Sequence, residues 1–235
     1  MKKFLGLLSE ILFPNICVGC GEILEQDEYL CDYCFEMSKR CLADKLCLKC
    51  GLPKNRCACK RAVFCFDGAI APFYNDGPVR IAMHKFKFRR KEHFAEFFAR
   101  EMALCIKQCF SDVSFDFVCC VPMSKIGKIK RGYNQSELLS FEISKILGIR
   151  HFKDCLQTVG KKKTQHLLSF EDRVKNVRDV FKCNRNINGK TVLLVDDIKT
   201  TGATLNECAK QLLIAGASKV YCVTALATNK KEKKS

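Results

Sequence analysis

The segment from residue 66 to 228 predicts an α/β domain, a mostly parallel sheet flanked by helices, with a small cysteine-rich module ahead of it. Three observations carry this expectation. From residue 66 onward, apolar runs of strand length alternate with stretches of helical periodicity. The runs FDFVCCVPM and TVLLVDD are apolar enough to be strands buried beneath helices, the habit of parallel sheets. Ten of the 18 cysteines fall within residues 1 to 65, most of them in closely spaced pairs.

The chain of 235 residues has room for one domain of about 150 to 200 residues and a small module. It opens MKKFLGLLSEILFPNIC, in which Phe4, Leu7, Leu8, Ile11 and Leu12 recur at helical spacing; residues 1 to 13 therefore read as a short amphipathic helix docked on the body. Glu10 interrupts the apolar region and no small-residue cleavage site follows, which argues against a signal peptide. No run approaches the roughly 20 apolar residues of a membrane-spanning helix. The expectation is a soluble, cytoplasmic chain.

Residues 14 to 65 form the cysteine module. Cys17-x2-Cys20 and Cys31-x2-Cys34, ten residues apart, give two knuckles that each turn two thiolates toward one point, the pattern of a four-thiolate zinc site. Cys47-x2-Cys50 and Cys57-x-Cys59 follow in CLKCGLPKNRCAC. For this set the spacing leaves open a second zinc, a cross-braced exchange of pairs, or one metal with spare thiols. Cys41 and Cys65 read as packing residues. About 45 residues cannot build an adequate core alone, so the Zn2+ is structural, and four thiolates leave no open position for catalysis.

The larger domain is read in order. FDGAIAPFYN is strand and turn, PVRIAMHKFKF a helix, and KEHFAEFFAREMALCIKQCF a long helix with a Phe94, Phe97, Phe98, Met102, Ile106 stripe. FDFVCCVPM is a buried strand, NQSELLSFEISKILG a helix ended by Gly148, TVLLVDD a second buried strand, NECAKQLLIAGA a helix closed at Gly216, and KVYCVTALAT a last strand. Ligands of such sheets bind at the carboxyl ends of strands. Two unusual loops belong at that edge: PMSKIGKIKRGYNQ and DDIKTTGAT.

The second loop carries the chemistry. Asp196 and Asp197 close a strand and can accept hydrogen bonds from a diol or hold a metal. Thr200, Thr201, Gly202, Ala203 and Thr204 then lead into a helix expected to begin near Leu205, so hydroxyls, backbone N–H groups and the positive helix end converge as a phosphate cup. Together they describe a ribose 5-phosphate site. A Walker-type ATPase is excluded because Gly189-Lys190-Thr191 precedes its strand and no G-x4-G-K-[ST] occurs. A net charge of +16 favours anionic partners: nucleic acid, anionic lipid or phosphorylated small molecules. It concentrates at Lys85 to Lys91, at Lys125 to Arg131, at Lys161 to Lys163, and in a solvated basic tail, residues 229 to 235.

VLLVDDIKTTGAT resembles the phosphoribosyl pyrophosphate (PRPP) signature of the type I phosphoribosyltransferases; Lys199 stands where that family more often has an apolar or small residue. The paired cysteines with CGLP, and the blocks APFYNDGPVRIAMHKFKFRRK, VPMSKIGKIKRGYNQ and KKTQHLLSFEDRVKNVRDVF, extend the resemblance over nearly the whole chain to the ComF group of competence-associated phosphoribosyltransferase-like proteins. The resemblance implies a type I phosphoribosyltransferase fold with an N-terminal zinc-ribbon-like module. It implies that Asp196 and Asp197 bind the ribose hydroxyls, directly or through Mg2+, and that Thr200 to Thr204 hold the 5-phosphate. Met123, Ser124 and Lys125 match the pyrophosphate loop; Arg131, in the RGYNQ block, and Lys163, in a covering loop over residues 161 to 176, are the implied catalytic residues.

Two functions follow from this resemblance. One is a PRPP- and Mg2+-binding protein acting in DNA uptake, with phosphoribosyl transfer to an acceptor for which the sequence offers no binding element. The other is a non-catalytic factor that handles single-stranded DNA through its basic loops and zinc module, with Tyr74, Tyr133 and Phe88 as candidate stacking residues. The family context adds a competence helicase or other uptake proteins as partners.

Overall fold

The computed structural model describes residues 14–25, 28–88, 93–159 and 180–228. The helix expected over residues 1 to 13, Arg89 to Lys91, the covering loop with Lys163, and the tail from 229 to 235 lie outside the described residues.

The cysteine region holds a short helix α1 (Asp32–Met37) and a two-residue hairpin, β1 (Leu46–Cys47) with β2 (Leu52–Pro53). Strands β3 (Gly68–Ile70) and β4 (Phe73–Tyr74) follow, then helices α2 (Gly77–Phe88) and α3 (His93–Cys109). The chain continues through β5 (Phe117–Cys120), α4 (Lys125–Arg131), α5 (Gln135–Leu147) and β6 (Arg150–His151). A separate antiparallel pair, β7 (Leu156–Thr158) and β8 (Phe181–Cys183), precedes β9 (Thr191–Lys199), α6 (Ala203–Ile214) and β10 (Lys219–Ala227).

The main sheet is parallel throughout, in the order β3-β10-β9-β5-β6, with β4 also on β10. Alternation along β9 divides the core. Leu193 and Val195 face α2, α3 and α5 across a cluster that includes Met83, Phe98, Met102 and Ile143. Val192 and Leu194 face α6 through Leu205, Cys208 and Leu212, together with Leu156 and Phe181 of the small pair. Because both faces are covered, the strand must be apolar on both, which is why VLLV is an unbroken run.

Pro72 divides the β3–β4 edge, since it brings no N–H to a ladder. The cysteine region packs along that edge: Ala69 N donates to Leu48 O at 2.8 Å, Cys41 N to Pro72 O at 2.8 Å, and Tyr74 N to Lys39 O at 2.9 Å. Gly51, at φ +65°, passes so close that a Cβ there would stand 2.5 Å from Ala69 O. Val18 enters the main core, and Arg40 pairs with Glu101 of α3 at 2.8 Å. The cysteine region thus borrows the core that its size denies it.

Three expectations give way to the structure. The segment PMSKIGKIKRGYNQ is not all loop: its basic stretch forms α4, capped by Ser124 Oγ, which accepts from Gly127 N at 3.1 Å. The strand does not stop at the acid pair, because β10 continues to pair through Leu226 with Ile198 and Ala227 with Lys199. The following helix starts at Ala203, two residues earlier than expected.

Candidate functional site

Ordinary folding forces place the two acids. β9 is hydrogen-bonded on both sides up to Val195, so Asp196 and Asp197 emerge where β5 ends and only β10 continues beside them. Asp196 Oδ1 accepts from Ser136 Oγ of α5 at 2.8 Å and from Asp197 N at 2.9 Å. Burial, then the charge of Asp197, push the Asp196 carboxyl up to about 7, against the Ser136 hydrogen bond that favours its ionised form. Asp197 Oδ2 meets Lys87 Nζ of α2 at 2.5 Å, both side chains largely buried. Neither Ser136 nor Lys87 was identified from sequence as a partner of the acids. Lys87 was visible only as one member of a basic cluster, and Ser136 only as a helix-starting residue.

The hydroxyl loop turns at Thr200 to Gly202 and enters α6. Gly202 is the residue before the helix and sits at φ +81°, a conformation glycine adopts without strain. Thr201 Oγ1 accepts from Ala203 N at 3.2 Å, closing the turn locally. Lys199 borders the hydroxyl turn, its Cε 3.5 Å from where a Cβ on Gly202 would stand. It is only 5% exposed, and burial pulls its ammonium below the ordinary lysine value while the thiols of Cys50, Cys222 and Cys41 oppose that shift.

On the opposite side, Met123 and Ser124 form the turn between β5 and α4, with Ser124 engaged as the helix cap. Lys125 is the first residue of α4 and Arg131 the last, about 9 Å apart along the axis at 1.5 Å per residue. Arg131 Nη1 donates to Gln135 Oε1 at 3.4 Å, and its guanidinium lies 5.6 Å from the Phe88 ring centre. Asn134 is structural: Nδ2 donates to Val121 O at 3.1 Å and Oδ1 accepts from Ser136 N at 3.2 Å, which ties the start of α5 to the end of β5. Gln135 is buried, and its Nε2 has no hydrogen-bond partner among the described residues.

The cysteines gather into two separate groups of four, Cys17, Cys20, Cys31 and Cys34, and Cys47, Cys50, Cys57 and Cys59, with the sulfurs of each group within 4.8 Å of one another. Pairs are not exchanged between them. A tetrahedron with bonds of 2.3 Å has edges of about 3.8 Å. The Cys20–Cys31, Cys47–Cys59 and Cys50–Cys57 sulfurs are 3.7, 3.7 and 3.8 Å apart, so both groups fit a zinc ion. Burial raises the Cys17 thiol, but hydrogen bonds from the backbone N–H groups of Cys31, Cys20 and Gly19 outweigh it and bring the thiol down to about 6. Cys47 is likewise brought down to about 7, against burial, by the Cys50 N–H and the neighbouring thiols. Cys41 is buried with Leu46, Ala71 and Ala227, and Cys65 packs beside the second core cluster, as packing residues do.

Comparison with known proteins places this geometry. The phosphoribosyl transferase domain family matches residues 143–235. "DNA utilization protein YhgH" of Escherichia coli O157:H7 is 28% identical over 224 residues, covering 89% of this chain and 96% of that protein. "Competence protein F" of Haemophilus influenzae is 31% identical over 149 residues, 61% of this chain and 65% of its own length, and "Competence protein ComFC" of Bacillus subtilis is 26% identical over 213 residues, 83% and 82%. The chain is similar over most of its length to these competence and DNA utilization proteins. Its α/β domain has the type I phosphoribosyltransferase fold, and the chain adds two four-cysteine groups able to bind zinc. Among the described residues no helix is long and apolar enough to cross a membrane.

Two predictions follow from the site. Because the cysteine groups are separate, Cys17→Ser/Cys20→Ser and Cys47→Ser/Cys50→Ser should each lower zinc content by about one ion per chain, measured by elemental analysis; loss of all zinc from either variant would contradict separate sites. The raised Asp196 sets a pH slope. Above about pH 4 the unfolded chain ionises this carboxyl while the folded chain keeps its proton up to about pH 7, so ligand-free stability falls across that interval. Asp196→Asn removes the slope, and its unfolding midpoint should rise relative to the parent by a few °C between about pH 5 and pH 8.

Proposed function

We propose that this chain binds PRPP with Mg2+ at the carboxyl end of β9 and acts in DNA uptake. The observation that carries the ribose reading is the juxtaposition of a carboxylate pair, anchored by Ser136 and Lys87, with a hydroxyl-rich turn at a helix start three residues later. The first suits a diol and the second a phosphate. The residues also fit Mg2+, since Asp197 already presents an oxygen to a cation, the Lys87 ammonium. Bound there by Asp196 and Asp197, Mg2+ supplies positive charge near the leaving pyrophosphate.

The remaining parts belong to the chain. Thr200, Thr201, Gly202, Ala203 and Thr204 hold the 5-phosphate. Ser136 orients Asp196, and Lys87 leaves Asp197 as the ligand enters. Met123, Ser124 and Lys125 lie on the pyrophosphate side, with Arg131 and Lys163 contributing charge. In transfer, the bond from C1 of the ribose to pyrophosphate breaks, its electron pair departs with the pyrophosphate, and an acceptor's lone pair forms the new bond to C1. Stabilising the departing charge is the main demand on the protein.

The role in DNA uptake rests on the relatives' names, competence and DNA utilization proteins, and on one surface. Tyr133 donates its hydroxyl to Phe86 O and Tyr74 is half-buried, whereas Phe88 is 61% exposed, with the His84 ring 4.7 Å away and Arg131 beside it. Lys128 and Lys130 belong to the same helix as Arg131, and the exposed ring offers a base a face to stack on with positive charge nearby for its phosphates.

Calorimetric titration of PRPP with Mg2+ should show binding to the parent chain and a loss of at least tenfold in Asp196→Asn/Asp197→Asn; equal binding by both, or by neither, overturns the ribose reading. Single-stranded DNA should bind without sequence preference and lose roughly twentyfold in affinity between 50 and 200 mM salt, as release of counterions from about three phosphate contacts requires. Affinity independent of salt would count against this surface, as would a Phe88→Ala chain that binds like the parent.

A further inference from the structure

A cavity of about 630 Å3 lies between the phosphate turn and the second cysteine group. Thr200, Thr201, Gly202 and Ala203 form one wall, yet neither Asp196 nor Asp197 borders it. The space therefore leads away from the diol side, beyond the turn assigned to the phosphate. A cup for a terminal phosphate monoester needs no such room; pockets of about 300 to 1,000 Å3 house whole drug-sized ligands.

The walls have a definite chemistry. Leu52 and Pro53 of β2, with Val63 and Phe64 of the linking segment, give apolar surface, and Phe64 is held by Phe66 with ring centres 5.0 Å apart. Arg56, Arg61 and Lys199 bring positive charge to the same space. Thr228 also borders it, and its Oγ1 is buried without a hydrogen-bond partner among the described residues. The two walls are tied together: Asn206 Oδ1 of α6 accepts from Cys65 N at 2.6 Å, and Asn206 N donates to Gly202 O at 2.8 Å. An apolar slot with an aromatic side chain, cations and a waiting hydroxyl, continuous with a phosphate turn, suits a nucleoside reached through a phosphate.

We infer that this cavity is a subsite for a second nucleoside, joined through the 5-phosphate of the ribose bound at Asp196 and Asp197. The ligands then include, beside a 5-phosphate monoester such as PRPP, a ribose whose 5-phosphate carries a further nucleoside. This inference rests on the ribose reading above. Two sources present the chemistry: a dinucleotide with a terminal ribose, such as ADP-ribose, and the 3′-terminal ribonucleotide of a strand, whose 5′-phosphate is a diester.

The test compares ribose 5-phosphate, ADP-ribose and a short oligoribonucleotide with a free 3′-diol, each titrated with Mg2+ into the full-length, zinc-loaded chain. At least one extended ligand should bind ten times more tightly than ribose 5-phosphate, and which one does so identifies the source. Ala62→Trp, which fills the cavity from its exposed rim, and Arg61→Glu should abolish that advantage while leaving ribose 5-phosphate affinity and zinc content unchanged. Equal affinity for all three ligands in the parent overturns the subsite, as does an advantage that survives Ala62→Trp. Failure of the ribose reading gives a different result: extended ligands remain sensitive to Ala62→Trp while no ligand responds to Asp196→Asn. Absence of binding by every ligand overturns both.

Discussion

Two adjacent carboxylates held largely out of water, at the end of a strand covered on both faces, are the constraint around which this molecule is organised. Placing like charges side by side in such surroundings is unfavourable, and the protein answers with one proton-donating hydroxyl and one ammonium, Ser136 on Asp196 and Lys87 on Asp197. Each partner comes from a different helix. The start of α5 must therefore be fixed against β5, which Asn134 does by bonding Val121 O, and the end of α2 must bring Lys87 to the end of β9. The pair is costly without a ligand and well prepared for one that brings hydroxyls or a divalent cation, a division of labour common where a site is built before its ligand arrives.

The cysteine region is related to this site by position. Its second group of thiols lies against the buried Lys199, the residue that departs from the family's motif, and Lys199 follows the acids by two positions in the same strand. A group of four thiolates and a metal of charge two would carry net negative charge, and a buried ammonium beside it offsets that charge in a way that an apolar residue at 199 could not. Lys199 thus stands between the two features, bordering the hydroxyl turn on one side and the thiols on the other.

Much of the fold was legible because burial leaves a plain record. VLLV and FVCC could only be strands covered on both sides, and the stripe from Phe94 to Ile106 could only be a helix against a core. The turn DDIKTTGAT was legible because a phosphate cup needs small and hydroxyl-bearing residues in order. What escaped notice depends on partners distant in sequence. Helix α4 is hidden by a glycine and four basic residues, and its start is fixed by Ser124 rather than by any apolar face. β9 runs past its acids only because β10 lies alongside to receive it. Lys87 could not be told from its basic neighbours until α2 brought it to Asp197.

The broken edge at Pro72 has a consequence of its own. A parallel sheet normally ends in a strand with a row of bare amides and carbonyls, a template on which other chains can add and aggregate. Here Leu48, Cys41 and Lys39 occupy that row one bond at a time, so the cysteine turns take the place of an outermost strand while lacking the length or regularity to extend the sheet. The same thiols that order a small segment thereby also terminate a large one, and the chain keeps its sheet finite by capping it with something that is not a strand.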